Sequence, residues 1–233
     1  MTQGLTNVLK ILEGIRDLME RDGWYVDEPG SPRWWGGAES PDEVVITALL
    51  VQQTRWEAVV NVLRELRSRG LNTIRSLCGM DTNELAGLLR GVNYRFTKAR
   101  RLINMACLLE NHGGLEGVRN SGNARELLMS IEGVGEETAD SIMLFALNIP
   151  TLPVSNYTRR VVGRLLNVEF KRYGDWKSFL EGSLPHDLYS YKLFHAGVVT
   201  VGKEFCLKNN PQCTRCPLRG ICSHALARQS RSP

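Results

Sequence analysis

"LLMSIEGVGEETADSIMLFAL", Leu127 to Leu147, decides how this chain is read. An apolar helical run leads into Gly133-Val134-Gly135, and a second apolar helical run leaves it. Two glycines permit a tight turn and the close approach of another backbone. The second helix begins at or near Glu136, so its first amide N–H groups point out of the turn. Such a terminus holds a phosphate without reading any base. By itself the pattern is weak evidence and is more often that of a plain helical hairpin.

Outward from this hairpin the text stays helical. Apolar residues recur at three and four in "DEVVITALLVQQTRWEAVVNVLREL", "TKARRLINMACLLENHGG" and "ARELLMSI". Breaks rich in Gly, Pro and Asn separate these runs: "DEPGSPRWWGGAESP", "RGLN", "RGVNYR", "NHGG" and "RNSGN". No alternating segment is long enough for a strand. The expectation is an all-α chain of about ten helices. Residues 40–147 read as one lobe with the hairpin, and residues 1–39 plus 148–233 as a second helical lobe.

The chain has 233 residues and a net charge of +4. This mild basic excess suits an anionic partner and equally suits a solvated Lys/Arg surface. No run of eighteen apolar residues exists, so no membrane span is expected. The N-terminal "MTQGLTNVLKILEGIRDLMERDGW" is amphipathic with acids on its polar face. It reads as a first helix and not a secretory signal, which predicts an intracellular, cytoplasmic or nucleoid protein.

Six cysteines divide into two sets. Cys78 and Cys107 stand alone in apolar helical segments and read as core thiols. Cys206, Cys213, Cys216 and Cys222 follow the spacing C-x6-C-x2-C-x5-C in "CLKNNPQCTRCPLRGIC". Four thiolates in one compact loop suit zinc or a [4Fe–4S] cluster, with a disulfide knot as the bland alternative. Lys208, Arg215 and Arg219 in this loop are candidate phosphate contacts.

Taken in order, "LLVQQT", "GVNYRFTKARRL", "IEGVGEETAD", "TLPVSNYTRRVVGRL" and the four-cysteine loop resemble the helix-hairpin-helix DNA glycosylases of the endonuclease III and MutY group. The match runs from about Asp42 to Cys222. The resemblance implies a two-lobed fold and a [4Fe–4S] cluster on Cys206, Cys213, Cys216 and Cys222. It implies a monomer that grips double-stranded DNA, extrudes a damaged nucleotide and breaks its base–sugar bond. Gly133, Val134, Gly135 and Thr138 then contact phosphate, and Gln53 fills the gap left by the flipped base.

The subfamily turns on single positions. Bifunctional relatives place a Schiff-base lysine two residues after the second hairpin glycine. Here that residue is Glu137, and a carboxylate forms no imine. Adenine-excising relatives place a glutamate where this chain has Ala48. The 3-methyladenine glycosylases related to MagIII are similar in "WW", in "TRWEAV" and in the hairpin glutamate, although they carry a modified lysine that has no match here and typically lack the cysteine loop. Base-excision repair of alkylated purine is therefore the leading expectation, with uracil or thymine opposite guanine second.

One departure stands out in "PVSNYTRRV". The family places a catalytic aspartate where this chain has Ser155. That acid offsets the positive charge that develops on the sugar as the bond breaks. A serine caps a helix and supplies no charge. Three readings stay open: an engineered replacement, a natural one with Glu137 or Asp140 taking over, or a protein that binds lesions without cutting them. Trp24, Tyr25, Trp34 and Trp35 either cover the first helix or form a stacking pocket for an extruded base. Tyr157 and His195 are further pocket candidates.

Overall fold

The computed structural model describes residues 2–229, which hold fourteen α-helices and no strand. They are α1 Thr2–Glu13, α2 Arg16–Arg21, α3 Pro41–Leu50, α4 Trp56–Ser68, α5 Ile74–Leu77, α6 Thr82–Leu88, α7 Arg95–Asn111, α8 Gly114–Asn120, α9 Ala124–Met129, α10 Glu136–Phe145, α11 Asn156–Leu166, α12 Tyr173–Glu181, α13 Leu188–Glu204 and α14 Ser223–Gln229. The excess over the expected number comes from pieces such as α5, α8 and α9, of four to seven residues. These are too short for a helical period to register. Two compact units result: Gly30–Ile149, and Met1–Pro29 with Pro150–Pro233.

In the unit Gly30–Ile149, α3 is the central element, buried from Glu43 to Leu50. Ser40 caps it, accepting from the Glu43 amide at 3.3 Å, and Pro41 fills its first turn. The fully buried Glu43 carboxylate accepts from Arg67 through two nitrogens at 2.7 and 2.6 Å, from Asn72 at 2.9 Å and from the Glu39 amide at 2.6 Å. Burial alone would raise this acid, but these donors outweigh it and hold the group below its ordinary value.

Two expectations are corrected in this unit. Trp34 is fully buried and Trp35 nearly so. The Trp35 indole donates to Thr47 Oγ1 at 3.0 Å and its ring lies 5.2 Å from that of Phe145. These two rings are core, with no open face for a base. Composition showed a dense aromatic loop but not which way its side chains turn. Cys78 and Cys107, read as separate thiols, form a disulfide. Cys78 lies just past α5, and α5 packs on α7, which carries Cys107. That pairing is tertiary, and no local spacing announces it.

In the other unit α13 is the core, with Tyr191, Phe194, Val198 and Val201 buried, packed against α1 and α11. Its N-cap Asp187 uses both carboxylate oxygens, accepting from the Ser190 amide and the Ser190 hydroxyl at 2.8 Å each. Among the described residues no helix is long and apolar enough to cross a membrane.

Candidate functional site

The hairpin between α9 and α10 is built by two glycines for different reasons. Gly133 has φ +89°, and a Cβ there would come within 2.8 Å of Arg101. The conformation demands glycine, while the crowding is only with the flexible end of the Arg101 side chain, which can move aside. Gly135 is extended, and a Cβ there would meet nothing within 4 Å. Its value is open access to the start of α10. No side chain caps that helix, and the first backbone bond back to Gly135 comes from the Ala139 amide at 2.9 Å. The first-turn amides at the positive end of the helix dipole are therefore left without partners within the helix, with Glu136 and Glu137 in the same turn.

Arg125 braces the hairpin. Its guanidinium reaches both oxygens of Asp140, at 2.8 and 3.4 Å, and Glu136 at 3.5 Å. Asp140 is fully buried in this pairing. It ties α9 to α10 through Arg125. Glu137 stands exposed on the first turn of α10, where its carbonyl accepts from the Ser141 hydroxyl at 2.8 Å. Thr138 Oγ1 accepts from Gln52 Nε2 at 3.2 Å, and Gly133 O accepts from the same nitrogen at 3.0 Å.

Gln53 follows on the turn after α3, in the left-handed region at φ +53° with its side chain exposed. Its carbonyl accepts from Asn93 Nδ2 at 2.6 Å. Lys98, on α7, is buried, and burial pulls its ammonium down to about 8. It donates to Leu50 O, Gln52 O and Thr54 Oγ1 at 2.7, 2.6 and 2.8 Å. The sequence reading missed this residue because "FTKARR" looks like a basic surface. Its one local signal is that Lys98 shares a helical stripe with Leu102 and Met105.

In the other unit Ser155 caps α11. Its Oγ accepts from the Thr158 amide at 3.0 Å and shares a hydrogen bond with Thr158 Oγ1 at 2.9 Å. It is buried, and no acid lies in the first turn of α11. Tyr157, next to it, is 37% exposed and packs on Gly202, where a Cβ would come within 2.6 Å of its ring. The Arg160 guanidinium sits 5.0 Å from the same ring. His195 is buried, which lowers it to about 4 despite the Pro153 carbonyl 3.4 Å from Nδ1, so the ring is neutral. Trp24, half-buried, meets it edge-on at 5.4 Å.

The bases of α11 hold the cysteine loop. Arg160 donates to Cys206 O at 2.7 Å and Gly202 O at 3.0 Å. Arg164 donates to Leu207 O at 2.7 Å, Lys208 O at 2.8 Å and Cys206 Sγ at 3.4 Å. The Arg164 carbonyl accepts from Cys222 Sγ at 3.6 Å. All four loop cysteines are unpaired, half-buried thiols. Burial pushes the Cys216 thiol up to about 11, and Cys206, Cys222 and Cys213 push it the same way. Thiols that disfavour each other's ionisation are a donor set that a cationic centre relieves. By donor chemistry they fit a soft-metal centre. Among the described residues no three His, Cys, Asp or Glu side chains are drawn into a group that holds a metal ion.

Comparison with known proteins bears on this arrangement. Residues 46–185 match the model of the HhH-GPD superfamily base excision DNA repair protein. A Methanocaldococcus jannaschii protein named as a DNA repair glycosylase is 36% identical over 203 residues, spanning 84% of this chain and 91% of that one. The thymine-DNA glycosylase of Aeropyrum pernix is 27% identical, over 85% of this chain and 89% of its own. Among solved structures, the H. pylori 3-methyladenine DNA glycosylase MagIII bound to 1,N6-ethenoadenine superposes with a TM-score of 0.69 at 23% identity, covering 85% of this chain and 96% of that one.

Proposed function

We propose, for a chain that belongs to the HhH-GPD superfamily of base excision DNA repair glycosylases, that its activity is monofunctional: release of a damaged base from duplex DNA with the sugar–phosphate strand left intact. One observation carries this reading. The first turn of α10 offers Glu137, a carboxylate on an exposed helix start, where a strand-cleaving enzyme of this kind needs an amine. Gly133, Val134, Gly135 and Thr138 grip phosphate, and Gln53 occupies the gap left by the extruded nucleotide.

Alkylated purine is the substrate we assign first. Trp24, Tyr25 and Tyr157 lie in the same unit as Ser155, and an electron-poor purine gains from aromatic faces. Uracil or thymine opposite guanine is the second reading, favoured by the similarity to the Aeropyrum pernix enzyme. Ser155 supplies a cap where the bond-breaking step calls for a charge, so turnover is slow. Cys206, Cys213, Cys216 and Cys222 hold a [4Fe–4S] cluster that fastens the loop. The protein acts as a monomer.

The test is a panel of duplexes bearing 3-methyladenine, 1,N6-ethenoadenine, uracil or thymine opposite guanine. Base release that yields a strand break only after alkali is the expected result. A break without alkali overturns the monofunctional reading, and binding without base release from any duplex overturns the enzymatic one.

A further inference from the structure

We propose that Lys98 is a positioning residue for base extrusion, acting through Gln53. The inference rests on the reading above, in which Gln53 enters the gap left by an extruded nucleotide.

Lys98 lies in a run of bases, "RFTKARR", yet it alone turns inward, at 4% exposure. Its three ammonium hydrogens meet three acceptors: Leu50 O at 2.7 Å, Gln52 O at 2.6 Å and Thr54 Oγ1 at 2.8 Å. Leu50 ends α3, so its carbonyl lacks a partner within the helix, and a cation suits that negative helix end. The acceptors flank Gln53 on both sides. From the other direction Asn93 gives its side-chain amide to Gln53 O at 2.6 Å and its backbone amide to Thr54 Oγ1 at 3.3 Å. Gln53 is therefore pinned by its backbone in the left-handed region, which a glutamine adopts only under constraint. Its side chain alone is left exposed.

The same turn is tied to the phosphate grip. Gln52 Nε2 donates to Gly133 O at 3.0 Å and Thr138 Oγ1 at 3.2 Å. Lys98, Gln52 and Asn93 thus link three segments of one compact unit: the turn after α3, the start of α7 and the hairpin before α10. Such a network fixes how far the gap-filling side chain stands from the held phosphates, and a small error in that distance is costly.

The experiment reads extrusion separately from binding and from stability. A duplex carrying 2-aminopurine beside a tetrahydrofuran abasic site brightens when its stack is opened, and stopped-flow fluorescence times that event without any need for bond cleavage. Lys98→Met keeps the chain length and removes the donors. It is expected to slow the fluorescence rise by about 10–100-fold, while affinity for an undamaged duplex stays within about twofold. In a Gln53→Ala background the same substitution is expected to change the rate by less than about twofold, since its effect passes through Gln53. An unchanged rate in Lys98→Met, or an equal loss in both backgrounds, overturns the inference. If Lys98→Met does not fold, Asn93→Ala decides: it loosens the same turn from the solvent side, and a parental rate there is equally fatal. A parent chain that gives no fluorescence rise overturns the base-extrusion reading itself, and this inference with it, before any substitution is made.

Discussion

Replacing Ser155 by aspartate tests the electrostatic account most directly. The position is an N-cap, buried, with its oxygen on the Thr158 amide at 3.0 Å and the Thr158 hydroxyl at 2.9 Å. The same unit shows that an aspartate fits this arrangement. At the start of α13, Asp187 takes the Ser190 amide on one oxygen and the Ser190 hydroxyl on the other, both at 2.8 Å. Asp at 155 has an equivalent pair of donors in Thr158, and a carboxylate is favoured at the positive end of α11. Stability should change by no more than about 1 kcal/mol. The catalytic gain is larger. A fixed charge where positive charge develops in a water-poor site is worth about 2.7–4 kcal/mol, or 10²–10³ in rate. Single-turnover excision on the best duplex of the lesion panel is the assay, with Ser155→Asn as the control that caps without charge. Ser155→Asp should accelerate base release by that factor and Ser155→Asn should not. Equal acceleration by both, or none by Ser155→Asp together with complete loss in Glu137→Gln, refutes the reasoning and transfers the role to Glu137.

Reduction of Cys78–Cys107 opens a loop with a sequence separation of 29 and should cost about 3–4 kcal/mol of unfolding free energy. Denaturant midpoints with and without a reductant measure this, and a Cys78→Ala/Cys107→Ala double variant should be indifferent to the reductant. His195 is held near 4 against 6.5 when free, so its contribution is complete above pH 6.5 and is lost as pH falls from 6.5 to 4, about 3 kcal/mol in total. His195→Gln should flatten that part of a stability–pH curve, and an unaltered slope would contradict the burial argument. The purified protein should be brown, and Cys213→Ser should bleach it; a colourless parent with one bound zinc per chain would rule out the iron–sulfur assignment.

The parts of the molecule that sequence disclosed are those set by local rules. Helical periodicity located the long helices, and the Gly133-Val134-Gly135 run marked a tight turn, in which Gly133 proves to be left-handed. Ser155 was readable as a cap because its bond closes within three residues. What stayed hidden depends on distant partners. The Cys78–Cys107 bond needs α5 against α7, and the inward turn of Lys98 needs acceptors from a segment more than forty residues earlier. The pairing of Asp140 with Arg125 was hidden too, because fifteen residues separate them and no local pattern marks the contact. Trp34 and Trp35 had the composition of a pocket, but Trp34 is fully buried and Trp35 packs against Thr47 and Phe145 in the core.

The grip of α11 on the cysteine loop has a consequence for how this loop can vary. Arg160 and Arg164 hold main-chain carbonyls, those of Gly202, Cys206, Leu207 and Lys208, and no side chain between the first two cysteines. The Gln212 amide closes the same stretch on Phe205 O at 2.8 Å, again through main chain. The path of the loop is therefore written in groups that every amino acid possesses, while the side chains of Lys208, Asn209 and Asn210 face solvent. Those three positions form an editable window on an otherwise fixed frame. A library randomised at 208–210 should yield folded members at high frequency, and one randomised at 160 and 164 should yield few.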